Sequence, residues 1–180
     1  MSVTDESASS VRTEVRVRRA NGFRMLEMYE EAEMELSRIP SADQYEEDVL
    51  AMQVAVRQDA ENWEGMRDSA RILRRRCPEE VQWWIADAYA TRRTDSLGAA
   101  REILMEAESV HESEPGIKYN LACYACCSGD MQTTMRYLLA AIALDEVYKG
   151  MAFEDEDLAE ARGELRRMGL AKESPEEGTA

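Results

Sequence analysis

The chain has 180 residues, of which 44% are hydrophobic and 33% are charged, and its formal net charge at neutral pH is −15. Such an acidic surface argues against a general affinity for nucleic acid or for anionic lipid, because both depend on clustered lysine and arginine. No segment approaches the roughly 20 continuous apolar residues of a membrane span, and the polar N-terminus does not resemble a secretory signal, so we expect a cytoplasmic protein.

Four amphipathic segments with one shared register follow one another along the chain. They cover residues 28–40, 62–78, 96–108 and 130–145. Each begins with a large apolar residue, and further apolar or small residues follow at spacings of three and four, which places them on one helical face. The large apolar residues that open the shared register are Tyr29, Trp63, Leu97 and Met131. Because every such series advances by 34 residues, the pattern is a repeat.

Further helices are predicted before and after these segments. They cover residues 11–26, 45–60, 78–93 and 115–129, and an amphipathic region follows at 147–170. Pro78 and Pro115 stand where the first turn of a helix tolerates proline. Residues 1–10 and 171–180 are polar and are predicted to be disordered. The composition, rich in good helix formers, agrees with an all-α chain.

A helix–turn–helix unit with a period of 34 residues resembles the tetratricopeptide repeat. The best match is "YNLACYACCSGD", in which Tyr119, Leu121 and Ala122 belong to the first helix and Gly129 to the turn. In the third repeat "WWIADAY" supplies a similar order around Ile85, with about two extra residues assigned to the turn. The small residues allow close helix approach, and the large ones fill the space between pairs.

The resemblance implies an α-α superhelix (solenoid) of about four helix pairs with a C-terminal capping helix. The expected repeats are residues 11–44, 45–78, 79–114 and 115–146, and the expected capping region is 147–170. A solenoid end requires such a cap, because its last apolar face has no following repeat to cover it.

In this family the first helix of each pair lines an inner groove that contacts a peptide or a partner helix. By repeat position, the candidate partner-binding residues are Trp83, Asp87, Tyr119, Cys123 and Cys126, with Ala51 and Ala55 from the second repeat. Aromatic side chains in a groove are typical anchors for recognition. Which of the two neighbouring tryptophans, Trp83 or Trp84, faces the groove is left open.

The cysteines do not by themselves predict a metal site. Cys123 and Cys126 lie on one helical face, but structural zinc takes four ligands. Cys77 is distant in the sequence, and the single histidine, His111, lies in a polar connector. The acidic run 154–157 lacks the spacing of a calcium loop. We therefore expect no metal and no cofactor, and the cysteines are interpreted as small packing residues.

Catalysis is not predicted either, since one histidine and no glycine-rich phosphate loop leave few reactive groups. The leading hypothesis is a non-catalytic scaffold that binds a protein or peptide, with self-association into a homodimer left open. The alternative is a chaperone of the type III secretion kind, which is also small, acidic and built from such repeats. A basic stripe, residues 71–76 with Arg92 and Arg93, either receives an acidic segment or balances nearby glutamates.

Overall fold

The computed structural model describes the backbone of residues 3–170 and the side chains of residues 11–170. Within that range the chain forms ten α-helices and one 3₁₀ helix, and no strand. The α-helices are α1 (Val3–Met25), α2 (Tyr29–Ser37), α3 (Glu47–Asp59), α4 (Trp63–Arg76), α5 (Val81–Thr94), α6 (Leu97–Val110), α7 (Pro115–Cys127), α8 (Met131–Leu144), α9 (Val147–Glu154) and α10 (Arg162–Arg167). The 3₁₀ helix, Glu156–Ala161, lies between α9 and α10.

The helix starts keep the period that the sequence predicts. The first helices α3, α5 and α7 begin at Glu47, Val81 and Pro115, each 34 residues after the last. The second helices α2, α4, α6 and α8 keep the same step. The predicted two-residue insertion in the third repeat is therefore wrong: α5 begins at Val81 rather than at Pro78, because residues 77–80 form a turn in which the Glu80 N–H donates to the Cys77 carbonyl at 3.1 Å.

The chain divides into two compact units, Met1–Ile103 and Leu104–Ala180. In the first unit α3 belongs to two buried clusters. One joins the first helix pair to α3 and contains Ala20, Ala32, Leu36, Ile39, Val49 and Val56. The other joins α3 to α4 and α5 and contains Leu50, Val54, Met66, Ala70, Leu73, Trp83 and Ala90. Because α3 presents apolar residues in both directions, no pair buries its apolar face alone, as expected of stacked repeats.

In the second unit α7 packs against α8. Leu121 and Ala122 of α7 and Leu138 and Ala141 of α8 are fully buried. The turn between the helices contains Gly129 at φ 76°, a left-handed conformation that glycine adopts without steric cost. The Asp130 side chain then accepts a hydrogen bond from the Thr133 N–H at 3.0 Å and starts α8.

The region 147–170 holds three short elements instead of one capping helix. They are α9, the 3₁₀ helix and α10, with Asp155 in extended conformation between α9 and the 3₁₀ helix. The Asp155 carboxylate accepts from the Asp157 N–H at 3.0 Å, which caps the 3₁₀ helix. Leu158, Ala161 and Leu165 are fully buried, and the 3₁₀ helix contacts α7. The C-terminal region thus lies against the first helix of the last pair.

The first helix is longer than predicted. The sequence predicted a disordered stretch over residues 1–10 and a helix from residue 11, whereas α1 begins at Val3. Residues 3–10 contain neither glycine nor proline, so nothing in this stretch stops the helix from extending toward the N-terminus. The predicted disordered tail, 171–180, lies outside the described residues. Among the described helices, none is long and apolar enough to cross a membrane.

A buried carboxylate joins α1 to α2. Arg16 Nη1 lies 2.6 Å from Glu35 Oε2, and Arg38 Nη1 lies 2.8 Å from Glu35 Oε1. Burial alone would raise the pKa of the Glu35 carboxyl, but the hydrogen bonds and charges of Arg16 and Arg38 outweigh it and lower this pKa below its ordinary value of 4.5. The charged form is therefore the one that stabilises the fold.

Glu35→Gln is expected to lower the free energy of unfolding by roughly 1.5–3 kcal/mol at pH 7. Because the pKa of Glu35 is depressed in the folded state, its contribution is present above the unfolded pKa and is lost as the pH falls through the folded pKa. Urea unfolding of wild type and variant at pH 7 and at acidic pH measures this. Glu30→Gln, at an exposed site on the same helix, is the matched control. An equal difference at both pH values would contradict the assignment.

Candidate functional site

The five candidate groove residues are all buried in the chain. Trp83 is 9% exposed, Asp87 0%, Tyr119 4%, Cys123 3% and Cys126 6%. The first two lie on α5 in the first unit and the other three on α7 in the second unit. Contact of these residues with a partner stays a prediction. Such contact would require the groups that now cover each side chain to move.

Asp87 faces the preceding helix pair. Its Oδ2 lies 3.0 Å from Arg74 Nε and its Oδ1 lies 3.6 Å from Arg71 Nη2, both on α4. The Thr91 hydroxyl donates to Oδ1 at 3.3 Å. One period further along, the same place in α7 is held by Leu121, which is a core residue. Asp87 is thus a core position occupied by a charge, and two arginines of the basic stripe neutralise it.

The two tryptophans are also part of the interior of the first unit. Trp83 belongs to the buried cluster with Leu50 and Met66. The Trp84 Nε1–H donates to the Pro78 carbonyl at 2.8 Å, and the Arg74 guanidinium lies 4.7 Å from the centre of the Trp84 ring. Both tryptophans are therefore largely buried, and which of them faces the groove stays open.

The start of α5 at Val81 changes which of its residues correspond to the predicted groove. One period before Tyr119 and Cys123 stand Ile85 and Tyr89, two residues after Trp83 and Asp87. The same places in α3 are those of Ala51 and Ala55. We call Ala51, Ala55, Ile85 and Tyr89 the inner row. All four residues are half-buried, so this row is less covered than the equivalent residues of α7.

An aromatic and cationic group marks one end of the inner row. The Arg93 guanidinium lies 3.6 Å from the centre of the Tyr89 ring and 4.6 Å from that of Trp63, and its Nη2 donates to the Tyr89 hydroxyl at 2.6 Å. The rings of Trp63 and Tyr89 meet edge to face at 5.6 Å. The Arg93 guanidinium places a positive charge at this end of the row.

The predicted groove face of α7 is covered by the C-terminal region of the chain. The Tyr119 hydroxyl donates to Asp155 Oδ2 at 2.9 Å, and the Cys123 thiol donates to the same oxygen at 3.6 Å. The Cys127 thiol donates to Asp157 Oδ1 at 3.3 Å. Residues 155–161, which we call the covering segment, therefore occupy the face that the family resemblance assigned to a partner.

The environment of this face disfavours the ionised form of the Cys123 and Cys126 thiols. Burial raises the pKa of the Cys123 thiol far above its ordinary value of 9.0, and the Asp155 and Asp157 carboxylates raise it further. Burial also raises the pKa of the Cys126 thiol, although backbone N–H groups of Ala161 and Glu160 partly oppose this. Because the thiolate is the nucleophilic form, neither cysteine is activated for catalysis.

Sequence reasoning missed the role of Asp155 and Asp157. Both belong to the acidic run 154–157, whose spacing does not fit a calcium loop. A signal for their placement was nevertheless present in the period. Residues 149–161 stand one repeat length after α7, where the first helix of a further repeat would pack. Extending the repeat once more would have placed these carboxylates beside Tyr119 and Cys123.

Solved structures of low sequence identity share this fold. A MamA RS-1 double mutant matches with a TM-score of 0.66 at 11% identity, over 88% of this chain and 94% of that one. MamA AMB-1 in a P212121 crystal form matches with a TM-score of 0.63 at 15% identity, over 97% and 95%. A thermophilic tetratricopeptide-repeat protein of Thermus thermophilus matches with a TM-score of 0.63 at 15% identity, over 88% and 85%.

No protein-family model matches this chain, and no curated protein matches it in sequence. At identities of 11 to 15% the structural likeness shows the fold alone. The predicted fold class, an all-α solenoid of tetratricopeptide-type helix pairs, is confirmed.

Proposed function

We propose that the chain is a non-catalytic protein-interaction module that binds a peptide or a partner helix along the inner row of its first unit. The observation that carries this proposal is the pairing of two half-buried alanines on α3 with a half-buried isoleucine and tyrosine on α5. Small residues beside larger ones leave room for a side chain of the partner. The helical-repeat fold, which serves recognition in many proteins, supports the proposal by analogy.

The chemistry of the row indicates the kind of ligand it suits. An apolar side chain fits over Ala51 and Ala55, where only methyl groups project. Tyr89 supplies a rigid aromatic contact of the sort that often dominates binding energy. Arg93, stacked on Tyr89, favours a carboxylate of the ligand at this end. The preferred partner is therefore an amphipathic segment with an acidic residue beside its apolar anchor.

Tyr119, Cys123 and Cys126 are proposed to contact the partner only under one condition. They would contact a partner only where the covering segment leaves α7, because Asp155 now holds the Tyr119 hydroxyl and the Cys123 thiol. Asp87 and Trp83 are assigned instead to packing and ion pairing within the first unit. In this proposal the first unit carries the constitutive binding surface.

Ala55→Arg is expected to abolish capture of the partner, because the long charged side chain fills the row. The measurement is affinity capture from native lysate with quantitative mass spectrometry, comparing wild type, Ala55→Arg and Ala42→Arg. Ala42 is exposed in the α2–α3 connection and provides the same substitution outside the row. Circular dichroism verifies that both variants are folded.

A protein lost in Ala55→Arg and kept in Ala42→Arg supports the proposal. Identical capture by all three chains would refute it. The identity of the captured protein also separates the two functional hypotheses: a single client that is unfolded and hydrophobic when alone would favour the secretion-chaperone alternative, whereas a folded protein that binds through one short segment would favour a scaffold.

A further inference from the structure

Two cysteines and two aspartates converge where the covering segment meets α7. Cys123 Sγ, an oxygen of Asp155 and an oxygen of Asp157 all lie within 4.8 Å of one another. Cys127 is one helical turn from Cys123, and its Sγ lies 3.3 Å from Asp157 Oδ1. Cys123 is buried, Asp155 and Asp157 are half-buried, and Cys127 is exposed. Three side chains that commonly bind metals thus meet at one point, and a fourth, Cys127, adjoins them through Asp157.

We propose that Cys123, Cys127, Asp155 and Asp157 bind one zinc ion, which fastens the covering segment to α7. Zinc takes four ligands in a tetrahedron and accepts both thiolate and carboxylate. With Zn–S near ~2.3 Å and Zn–O near ~2.1 Å, tetrahedral angles set sulfur and oxygen ligands about 3.6 Å apart. The Cys123 Sγ–Asp155 Oδ2 distance is 3.6 Å and the Cys127 Sγ–Asp157 Oδ1 distance is 3.3 Å.

The objection that the sequence raised against a metal was the number of ligands. The sequence placed Cys123 and Cys126 on one helical face, and neither Cys77 nor His111 could complete a site with them. The structure supplies the other half from residues 155 and 157, some 30 positions along the chain. The site would thus take two ligands from one helix turn and two from a separate segment, which completes the four ligands that zinc requires.

The surroundings of the Asp155 carboxylate suit a cation. Asp155 accepts from the Tyr119 hydroxyl, the Cys123 thiol and the Asp157 N–H, and in the part of the chain that the structure describes no arginine or lysine side chain forms an ion pair with it. The Tyr119 hydrogen bond would orient Asp155 as a ligand. Arg162 is engaged with the backbone carbonyl of Asp155 and with Glu156.

Binding would exchange protons for the metal. In the absence of metal the two thiols donate hydrogen bonds to the carboxylates, and as ligands they must be thiolates. Each chain would therefore release two protons to the buffer for each zinc ion that binds. The site is independent of the inner row, so zinc binding and partner binding through Ala55 can each fail without the other.

The test titrates ZnCl₂ into reduced, chelator-treated full-length protein in competition with a chromophoric chelator. We expect one zinc ion per chain. Cys127→Ser, at an exposed position, and Asp157→Asn should each weaken binding by about 100-fold or more, since even residues that only orient a ligand are worth 10–100-fold. Cys77→Ser is the matched control: the Cys77 thiol also donates to a carboxylate, Glu47 Oε2 at 3.5 Å, but no second such pair adjoins it.

Two further readouts report on the thiolates directly. Co²⁺ in place of zinc should show a near-ultraviolet thiolate-to-cobalt charge-transfer band that weakens in Cys127→Ser and not in Cys77→Ser. Titrations in buffers of different ionisation enthalpy should give two protons released per ion. Absence of stoichiometric zinc in the wild type, or zinc affinity unchanged in Cys127→Ser and Asp157→Asn, would overturn the proposal and leave only thiol–carboxylate hydrogen bonds.

Discussion

Asp87→Leu is expected to lower the free energy of unfolding by about 3–5 kcal/mol, although leucine is the residue at the equivalent place in α7. The reason is the pair of arginines on α4. Arg74 has a side chain that is 14% exposed and lies 3.0 Å from Asp87 Oδ2, so removal of the carboxylate takes a negative charge away from beside a guanidinium in the interior. Urea unfolding followed by circular dichroism measures the change.

Asp68→Leu is the matched control, because Asp68 is exposed on α4 and the same substitution there should change stability by less than about 0.5 kcal/mol. The double variant Asp87→Leu/Arg74→Met should regain much of the loss, since replacing both partners of a buried pair by apolar groups is often neutral. If Asp87→Leu were as stable as wild type, the ion pair would not hold α5 against α4.

Leu158→Ala is expected to destabilise the second unit by about 2–5 kcal/mol, the range for fully buried leucines. Leu158 is 0% exposed in the 3₁₀ helix, and its loss leaves a cavity beneath the covering segment. Thermal unfolding by circular dichroism should show the lower midpoint. Reaction of Cys123 with a thiol reagent should accelerate at the same time, because opening of the segment exposes α7.

Leu144→Ala provides the same substitution in the same unit at a side chain that is 49% exposed, and it should have a small effect on both measurements. Leu158→Ala could instead lower the melting temperature and leave the reactivity of Cys123 in the folded protein unchanged. That result would show that the covering segment does not shield α7.

The sequence predicted the period of the fold well, because large and small apolar residues recur on one face of every second helix. It predicted the register of α5 less well. The "Leu-Ala" pair of the first helix is Leu121–Ala122 in α7, but the equivalent pair in α5 is Asp87–Ala88. Because a charged residue occupies this core position, the repeat pattern is hard to recognise in the sequence of α5. The charge is explained only by the arginines of α4, which folding brings close to Asp87.

The C-terminal contact was harder to predict for a different reason. Hydrophobic periodicity indicates which face of a helix is buried, but it does not indicate which segment covers that face. Asp155 reaches Tyr119 only because the chain leaves the helical conformation between α9 and the 3₁₀ helix. That break depends on tertiary contacts and on the Asp155 cap, which have no strong local signature.

Protection of a thiol introduced by Ala55→Cys tests the account most directly. The variant is captured with its partner from lysate, and maleimide labelling of this position is compared between the complex and the isolated chain by peptide mass spectrometry. We predict that the partner slows labelling at position 55 by at least about tenfold, as expected for a thiol that becomes buried, and leaves labelling of Cys77 unchanged. Equal labelling of position 55 in the complex and in the isolated chain would show that the partner does not lie along the inner row.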